Sequence, residues 1–143
     1  MSYLGDLMKI TDSLLLPRTG KVLKNRTVLA AMTNKQSHSD GILSDEEKKW
    51  LIRRAMGDFA ITTTAATNVT EHGRGWIGEM GVWGDHQIPE LTNLARELKK
   101  TGTVSLAQLF HGGMRAPQSI NGVQPISASI NTEPGMDLSL IHI

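Results

Sequence analysis

Residue types suited to chemistry lie at the ends of three apolar segments in this sequence of 143 residues. The first segment ends in Ala30-Ala31-Met32-Thr33, the second in Ala65-Ala66 and the third in Ala107-Gln108. Small side chains let a flat ring approach the backbone, the Thr33 hydroxyl can donate or accept, and the Gln108 amide offers both a donor and an acceptor. This combination is suited to reading the edge of a planar heterocycle. Spacing alone leaves a second interpretation open, in which neighbouring backbone groups satisfy the Gln108 amide.

The three segments have the pattern of buried strands. Residues 27–32, 59–64 and 103–109 are short runs of apolar and β-branched side chains, as expected where both faces of a strand are covered. By the period of two, Gln108 shares a face with Val104 and Leu106. A glutamine on the interior face at the carboxyl end of a strand is a poor core residue, which favours a ligand-binding role.

Two helices are predicted between the strands. Ser44 and Glu47 have the spacing of a capping box, and Gly57 ends this first helix. The second helix begins near Asp85 or Pro89. The resulting βαβαβ order implies an α/β fold with a parallel sheet and right-handed crossovers. The pattern leaves two architectures open: one half of a doubly wound sheet, or the opening third of a (β/α)8 barrel.

A glycine-rich pattern follows the second strand at some distance. Gly73-Arg74-Gly75-Trp76-Ile77-Gly78 matches G-x-G-x-x-G, which in dinucleotide sites comes directly after a strand and opens a helix. Here the pattern lies within a long connection, residues 66–84, that is too rich in glycine to be a helix. We therefore interpret it as part of an ordered loop near a binding face.

Other catalytic patterns are incomplete. His111-Gly112-Gly113 is similar to the oxyanion-hole segment of some esterases, but the sequence has no G-x-S-x-G pentapeptide. His38, His72, His86 and His142 have no metal-ligand spacing, and the sequence contains no cysteine. The sequence thus predicts no hydrolase, no metal site and no thiol chemistry.

Composition limits the classes of partner. Fifteen basic and fourteen acidic residues leave a net charge of +1, so nothing predicts a nucleic-acid partner. No apolar run approaches the ~20 residues that span a bilayer, and the first ten residues lack the order of a signal peptide. We expect a single-domain, cytoplasmic protein without a membrane partner.

Four pieces of sequence occur together in uninterrupted order: Lys24-Asn25-Arg26, Ala30 to Thr33, Gly73-Arg74-Gly75 and Gln108 to Arg115. As a set they resemble the N-terminal part of the Old Yellow Enzyme family. Its members are FMN-dependent NAD(P)H:flavin oxidoreductases and ene-reductases built on a (β/α)8 barrel. The resemblance runs from about Leu14 to Pro134, and it favours the barrel over the doubly wound sheet.

The resemblance implies FMN as cofactor, NADH or NADPH as reductant, and a small electrophilic acceptor such as an activated alkene. The backbone of Ala30, Ala31, Met32 and Thr33 would lie against the flavin ring, with Ala31 where the family usually has proline and Thr33 near the flavin O4. The Ala66 main chain would contact the flavin. Gln108 would bind its pyrimidine edge.

Further positions carry weaker expectations from the same resemblance. Lys35 lies near the place where some relatives have a substrate-facing tyrosine, so it is a substrate-contact candidate that departs from that pattern. His111 and Arg115 match a family signature, and we expect them to shape their loop. The family's acceptor-binding pair, proton donor and phosphate site belong further along the barrel, so we expect no catalytic residue here.

Chain length and the last residues suggest a partial barrel. A (β/α)8 barrel takes about 250 residues, so residues 1–137 are expected to be its N-terminal part. Residues 138–143 depart from the family pattern and resemble a translated sequencing adapter, so we expect a non-native tail. Such a piece has unpaired strand edges, which favours homo-oligomers and predicts inactivity alone. The alternative is a non-catalytic βαβ fragment that binds a flavin or a nucleotide.

Overall fold

The computed structural model describes residues 7–130, 134–135 and 140–141. Its strands are β1 (Leu14–Leu16), β2 (Lys21–Leu23), β3 (Val28–Leu29), β4 (Ile61–Asn68), β5 (Met80–Gly81), β6 (Val104–Phe110), β7 (Ile126–Ser127) and β8 (Leu140–Ile141). Its α-helices are α1 (Asp45–Met56), α2 (Ile88–Lys100) and the short α3 (Gln118–Asn121). None of the helices in these residues is both long and apolar enough to cross a membrane.

Strand β4 is the centre of a parallel sheet. One edge pairs with β6 from Ile61, opposite Val104, to Asn68, opposite Phe110. The other edge pairs with β3 near its start and with β5 near its end, at Thr67 and Asn68. The order β3–α1–β4–α2–β6 confirms the predicted α/β unit with parallel strands. Along its second edge, β6 has no strand partner within the described residues.

The starts of the two long helices follow signals in the local sequence. The Ser44 hydroxyl accepts the Glu47 N–H at 3.1 Å, which confirms the predicted start of α1. The expected capping box forms only in this half, because the Glu47 side chain turns to Ser37 instead. Helix α2 begins at Ile88, after a 3-10 turn over residues 85–87, with Pro89 in its first turn.

Both helices cover one face of the sheet. Their contact forms the helix layer, an apolar core consisting of Leu43, Leu51, Ala55, Met80, Leu94 and Leu98. On β4, Thr62 and Thr64 are buried, whereas Ile61 and Thr63 on the opposite face are only half-buried. No α-helix of the described residues covers that opposite face, so it is the free face of the sheet.

The strand bounds differ from the predicted ones in an informative way. The ladder of β3 ends at Leu29, so residues 30–33 leave the sheet although their sequence continues the apolar run. Strand β4 extends to Asn68, four residues beyond the predicted end at residue 64. Thr67 and Asn68 are fully buried there, because β5 and β6 pair with them from both sides. This pairing involves residues distant in sequence, which a local pattern does not report.

Two small sheets lie outside the βαβαβ unit. Strands β1 and β2 form an antiparallel hairpin that the sequence pattern did not predict, with Gly20 at φ +68° in its turn. Strands β7 and β8 pair in parallel through the backbones of residues 126–127 and 140–141. The predicted boundary between residues 137 and 138 lies outside the described residues, so the non-native tail stays a prediction.

Candidate functional site

The register of the sheet places Ala66 directly beside Gln108. These two residues are partners across β4 and β6, so their side chains share one face, the free face of the sheet. The register shifts between Thr63 and Ala66, which inserts an extra residue into β4 at this point. Such bulges re-aim side chains and are common beside binding sites. Without the shift, Ala66 and Gln108 would not be paired.

Threonine hydroxyls stabilise the bulge. The Gln108 backbone N–H donates to Thr64 Oγ1 at 3.2 Å, while the Thr64 hydroxyl itself donates to the Ala65 carbonyl at 2.7 Å. The Thr67 hydroxyl donates to the same carbonyl at 3.1 Å. The irregular ladder therefore keeps its polar groups satisfied, and the position of Gln108 is fixed through its backbone rather than through its side chain.

The Gln108 side chain is exposed at the carboxyl end of β6, and its amide has no partner within the described part of the chain. No backbone group of the described residues bonds this amide, so this part of the chain gives no support to the alternative interpretation. The amide keeps both of its hydrogen-bonding functions available to a ligand.

Residues 30–33 lie beyond the carboxyl end of β3. Ala30 and Thr33 are exposed, Ala31 is half-buried, and the Met32 side chain is 47% exposed. Because parallel strands end at the same edge of a sheet, this segment, Ala66 and Gln108 belong to one edge. The Thr33 hydroxyl has no hydrogen-bond partner among the described residues.

Three connections surround this edge and form the loop cluster: the β3 loop (residues 30–43), the β4 loop (69–79) and the β6 segment (111–122). The Ser37 N–H donates to the Gly78 carbonyl at 3.1 Å, which joins the first two connections. The Gly112 N–H donates to the Gly73 carbonyl at 2.7 Å, which joins the last two. The ring centres of Trp76, in the β4 loop, and Phe110, at the end of β6, lie 5.3 Å apart.

The glycines of the G-x-G-x-x-G pattern serve these contacts. A Cβ on Gly73 would lie 2.6 Å from the His111 ring, and a Cβ on Gly78 would lie 2.6 Å from the Lys35 carbonyl oxygen. A 3-10 turn, Glu71–Gly73, ends at the first glycine of the pattern, and the element that follows Gly78 is the strand β5 rather than a helix. The pattern therefore allows close packing of loops and lacks the strand–helix context of a dinucleotide site.

Lys35 and His111 have defined places in the cluster. Lys35 adopts the left-handed conformation at φ 54°, with an exposed side chain, where the β3 loop turns against the β4 loop. The His111 Nδ1 accepts the Gly113 N–H at 2.9 Å, so a neutral ring carries its proton on Nε2. Arg115 is exposed at the end of a 3-10 turn in the same segment.

The piece Lys24-Asn25-Arg26 lies at the opposite end of the sheet. The Lys24 ammonium contacts the Asp58 carboxylate at 2.7 Å, and the Asn25 amide donates to the Asp58 carbonyl at 2.7 Å. These bonds hold the start of β3 against the chain that enters β4. This part of the resemblance is therefore structural, and it is remote from the site.

Two glutamate carboxyl groups, one in the loop cluster and one on α1, are buried, and the sequence pattern did not predict this. Glu79 is 2% exposed, and its Oε2 accepts the Gly75 N–H at 2.7 Å. Burial raises the pKa of Glu79 to about 7, although the Gly75 and Trp76 N–H groups and the Arg74 charge act in the opposite direction. Glu47 is fully buried and accepts the Ser37 hydroxyl at 2.5 Å. No sequence signal separates these residues from exposed glutamates.

The described residues contain no group of three or more histidine and acidic side chains that could hold a metal ion. The arrangement offers instead a shallow edge with unpaired amide and hydroxyl groups above small side chains.

Comparison with known proteins identifies the family of this chain. The sequence model of the NADH:flavin oxidoreductase / NADH oxidase family matches residues 18–138. The chain belongs to this family. Among its relatives is a probable NADH-dependent flavin oxidoreductase of Bacillus subtilis (strain 168), 31% identical over 103 residues, which are 72% of this chain and 27% of that protein. An NADH:acrylate oxidoreductase of Vibrio harveyi is 36% identical over 113 residues, which are 78% of this chain and 11% of the relative.

Solved structures establish the fold of this family member. An Old Yellow Enzyme homologue from Zymomonas mobilis superposes with a TM-score of 0.86 at 22% identity, over 95% of this chain and 40% of that one. Morphinone reductase in complex with tetrahydroNAD gives 0.85 at 19% identity, over 96% of this chain and 41% of the other. The chain is thus part of a (β/α)8 barrel, as predicted, and the doubly wound alternative is wrong.

Family membership also confirms the predicted cofactor class. FMN is the flavin of this family, and NADH or NADPH is the reductant of its members. The chain spans about a quarter of the Bacillus relative and about a tenth of the Vibrio relative. The reaction of a whole protein therefore depends on more than the residues of this chain.

Proposed function

We propose that this chain supplies the first part of the FMN site in an oxidoreductase that passes a hydride from NADH or NADPH to an activated alkene. The observation that carries the proposal is the pairing of Ala66 with Gln108 at the carboxyl end of a partial barrel. In (β/α)8 barrels this is the end at which active sites are built. When bound, FMN supplies the hydride-accepting and hydride-donating ring.

The residues present fit the edge of a flavin. The pyrimidine part of that ring alternates carbonyl acceptors with an N–H donor. The Gln108 amide can donate to a carbonyl and accept from the N–H. Ala66 beside it has no bulk to keep the ring away from the backbone of β4. Thr33, on the neighbouring segment, has an exposed hydroxyl that can donate to a ring carbonyl, and such a bond tunes the electron affinity of a flavin.

The backbone segment from Ala30 to Thr33 is proposed to lie along the ring. Because these residues have left the sheet ladder, their N–H and carbonyl groups are not used by β4 and can face a ligand. Lys35 is proposed only as a neighbour of the acceptor, since its side chain is exposed at the rim. No residue of this chain is proposed to donate a proton to the acceptor.

The acceptor class has support from two relatives. One is named an NADH:acrylate oxidoreductase and another, from Klebsiella pneumoniae, an NADH:fumarate oxidoreductase. Both names describe an acceptor in which a carbon–carbon double bond is conjugated with a carboxylate. We therefore propose an α,β-unsaturated carbonyl or carboxyl compound as the acceptor.

The test is a titration of the purified chain with FMN, followed by flavin fluorescence and by the visible absorption spectrum. The proposal expects saturable binding, and in a protein that contains the whole barrel it expects bleaching by NADH or NADPH that acrylate, fumarate or an unsaturated ketone reverses. Saturable binding without bleaching in the whole barrel would instead support the non-catalytic flavin-binding alternative. A whole-barrel protein that takes up no FMN would contradict both.

A further inference from the structure

One residue makes hydrogen bonds that connect all parts of the loop cluster. Arg74, in the β4 loop, donates from Nη1 to the Ser39 carbonyl in the β3 loop at 2.6 Å. Its Nε donates to the Glu71 carbonyl at 3.1 Å within its own loop. Its carbonyl accepts the Asn121 amide N–H, from the β6 segment, at 2.9 Å. The β3 loop and the β6 segment thus contact the same residue.

The backbone at Arg74 is held from two sides. Its carbonyl accepts from Asn121, and the N–H of the same peptide unit, on Gly75, donates to the buried Glu79 carboxylate at 2.7 Å. Asn121 also donates to the Pro117 carbonyl at 3.1 Å, which ties it back to its own segment. Bonds at both ends fix the plane of this peptide, and this plane sets the direction in which the Arg74 side chain leaves the backbone.

The chemistry of the guanidinium suits this place. Its Nε and Nη1 donors point in fixed directions, so one rigid group can bind the Ser39 and Glu71 carbonyls together, which a lysine ammonium on a flexible stem does not do. Its central carbon also lies 5.9 Å from the centre of the Trp83 ring, which supports the plane of the group from a third direction.

We propose that Arg74 is a positioning residue of the flavin site. The β3 loop carries Ala30 to Thr33 at its start, and the β6 segment follows Gln108 directly. By holding both to the β4 loop, Arg74 sets the distance between the two groups that the proposed function places on the ring and on its edge. The inference rests on that proposed function.

The first experiment measures FMN affinity of the full chain by fluorescence titration in the parent, Arg74→Ala and Arg74→Lys. We expect the dissociation constant to rise about tenfold in the alanine variant and by an intermediate factor in the lysine variant. Arg53→Gln is the control for charge, because Arg53 is exposed on α1 and its substitution removes one positive charge, as Arg74→Ala does. The FMN affinity of this variant should stay within about twofold of the parent.

The second experiment needs no flavin. Hydrogen exchange of the free chain should become faster in the Arg74→Ala variant at Ser37, because the β3 loop loses the Nη1 bond to the Ser39 carbonyl. Gly112 should keep its exchange rate, because alanine retains the backbone carbonyl that accepts from Asn121. Ala55→Gly, in the core of α1, provides a variant of lowered stability with the loops untouched. Exchange at Ser37 and Gly112, measured relative to β4, should be unchanged in that variant.

The outcomes separate the positioning role of Arg74 from the proposed function. Faster exchange confined to residues 69–79, or FMN affinity lost equally in Arg74→Ala and Ala55→Gly, would overturn the positioning role and leave the proposed function standing. Parent chain and whole-barrel protein that both fail to bind FMN would overturn the proposed function and this inference together. Weaker FMN binding in Arg74→Ala, together with faster exchange at Ser37 in the β3 loop, supports the inference.

Discussion

The helix layer and the loop cluster are held together by different interactions. In the layer, Leu51 and Leu98 are almost completely buried among other apolar side chains. In the cluster, several buried groups are polar, and one side-chain polar atom each of Asn34, Glu79 and Asn121 has no hydrogen-bond partner within the described residues. An unpaired buried polar group costs about 1–3 kcal/mol. The helix layer therefore stabilises the fold. The buried polar groups of the loop cluster lower the stability, while its hydrogen bonds fix the positions of the loops around the site.

The largest expected effect tests the layer. Leu51→Ala removes a fully buried side chain from the centre of the apolar core and should lower the free energy of unfolding by about 2–5 kcal/mol. Met56→Ala, at an exposed position of the same helix, should change it by less than about 0.5 kcal/mol. Urea unfolding measures both. Similar values for the two variants would contradict the assignment of the core.

The next effect is the pH dependence of folding stability, which tests whether the carboxyl group of Glu79 in the loop cluster is desolvated. The pKa of Glu79 is raised from 4.5 to about 7 in the folded state, so the folded chain binds more protons than the unfolded chain in this interval. The stability should therefore fall as pH rises from about 4.5 to about 7, by about 3 kcal/mol in total. Glu79→Gln should remove this fall, since the amide does not titrate.

Glu46→Gln is the control for the pH experiment. Glu46 is exposed in the first turn of α1, and its substitution should leave the fall in stability intact. Denaturation at several pH values shows the difference between the variants. A Glu79→Gln variant with the same pH profile as the parent would show that this carboxyl is not desolvated.

A smaller effect tests the free face of the sheet. Gln108→Leu should weaken FMN binding by on the order of 1–3 kcal/mol, because buried polar groups of the ring lose their partner. The melting temperature should hardly change, since the Gln108 side chain is exposed and makes no bond in the described residues. Ser105→Ala, exposed on the same strand, should affect neither quantity. A lowered melting temperature with unchanged affinity would assign Gln108 to structure.

The smallest effect returns to the helix layer. Ser44→Ala removes the bond to the Glu47 N–H at the start of α1 and should cost about 1 kcal/mol. Ser44→Asn, which can still cap, should recover most of this loss. Thermal unfolding of both variants is the measurement. Equal losses in the two would indicate that the position, rather than the cap, is sensitive.

The sequence by itself determined the features that depend on near neighbours. The capping serine at Ser44, the apolar spacing of α2 and the apolar runs of β3 and β6 each act within one or two turns or one strand, so they are visible in the order of residues. The ordered motifs determined the family in the same way. From the βαβαβ order, the parallel sheet followed because parallel strands need crossover helices.

Only the tertiary structure decided the features that depend on distant partners. The shift between Thr63 and Ala66 sets which residue faces Gln108, and it arises from pairing with a strand some forty residues later. The burial of Glu79 and the bonds of Arg74 require three loops to meet. The sequence does not show whether a glutamate or an arginine lies in water or in a packed loop, because its surroundings are formed by residues distant in sequence.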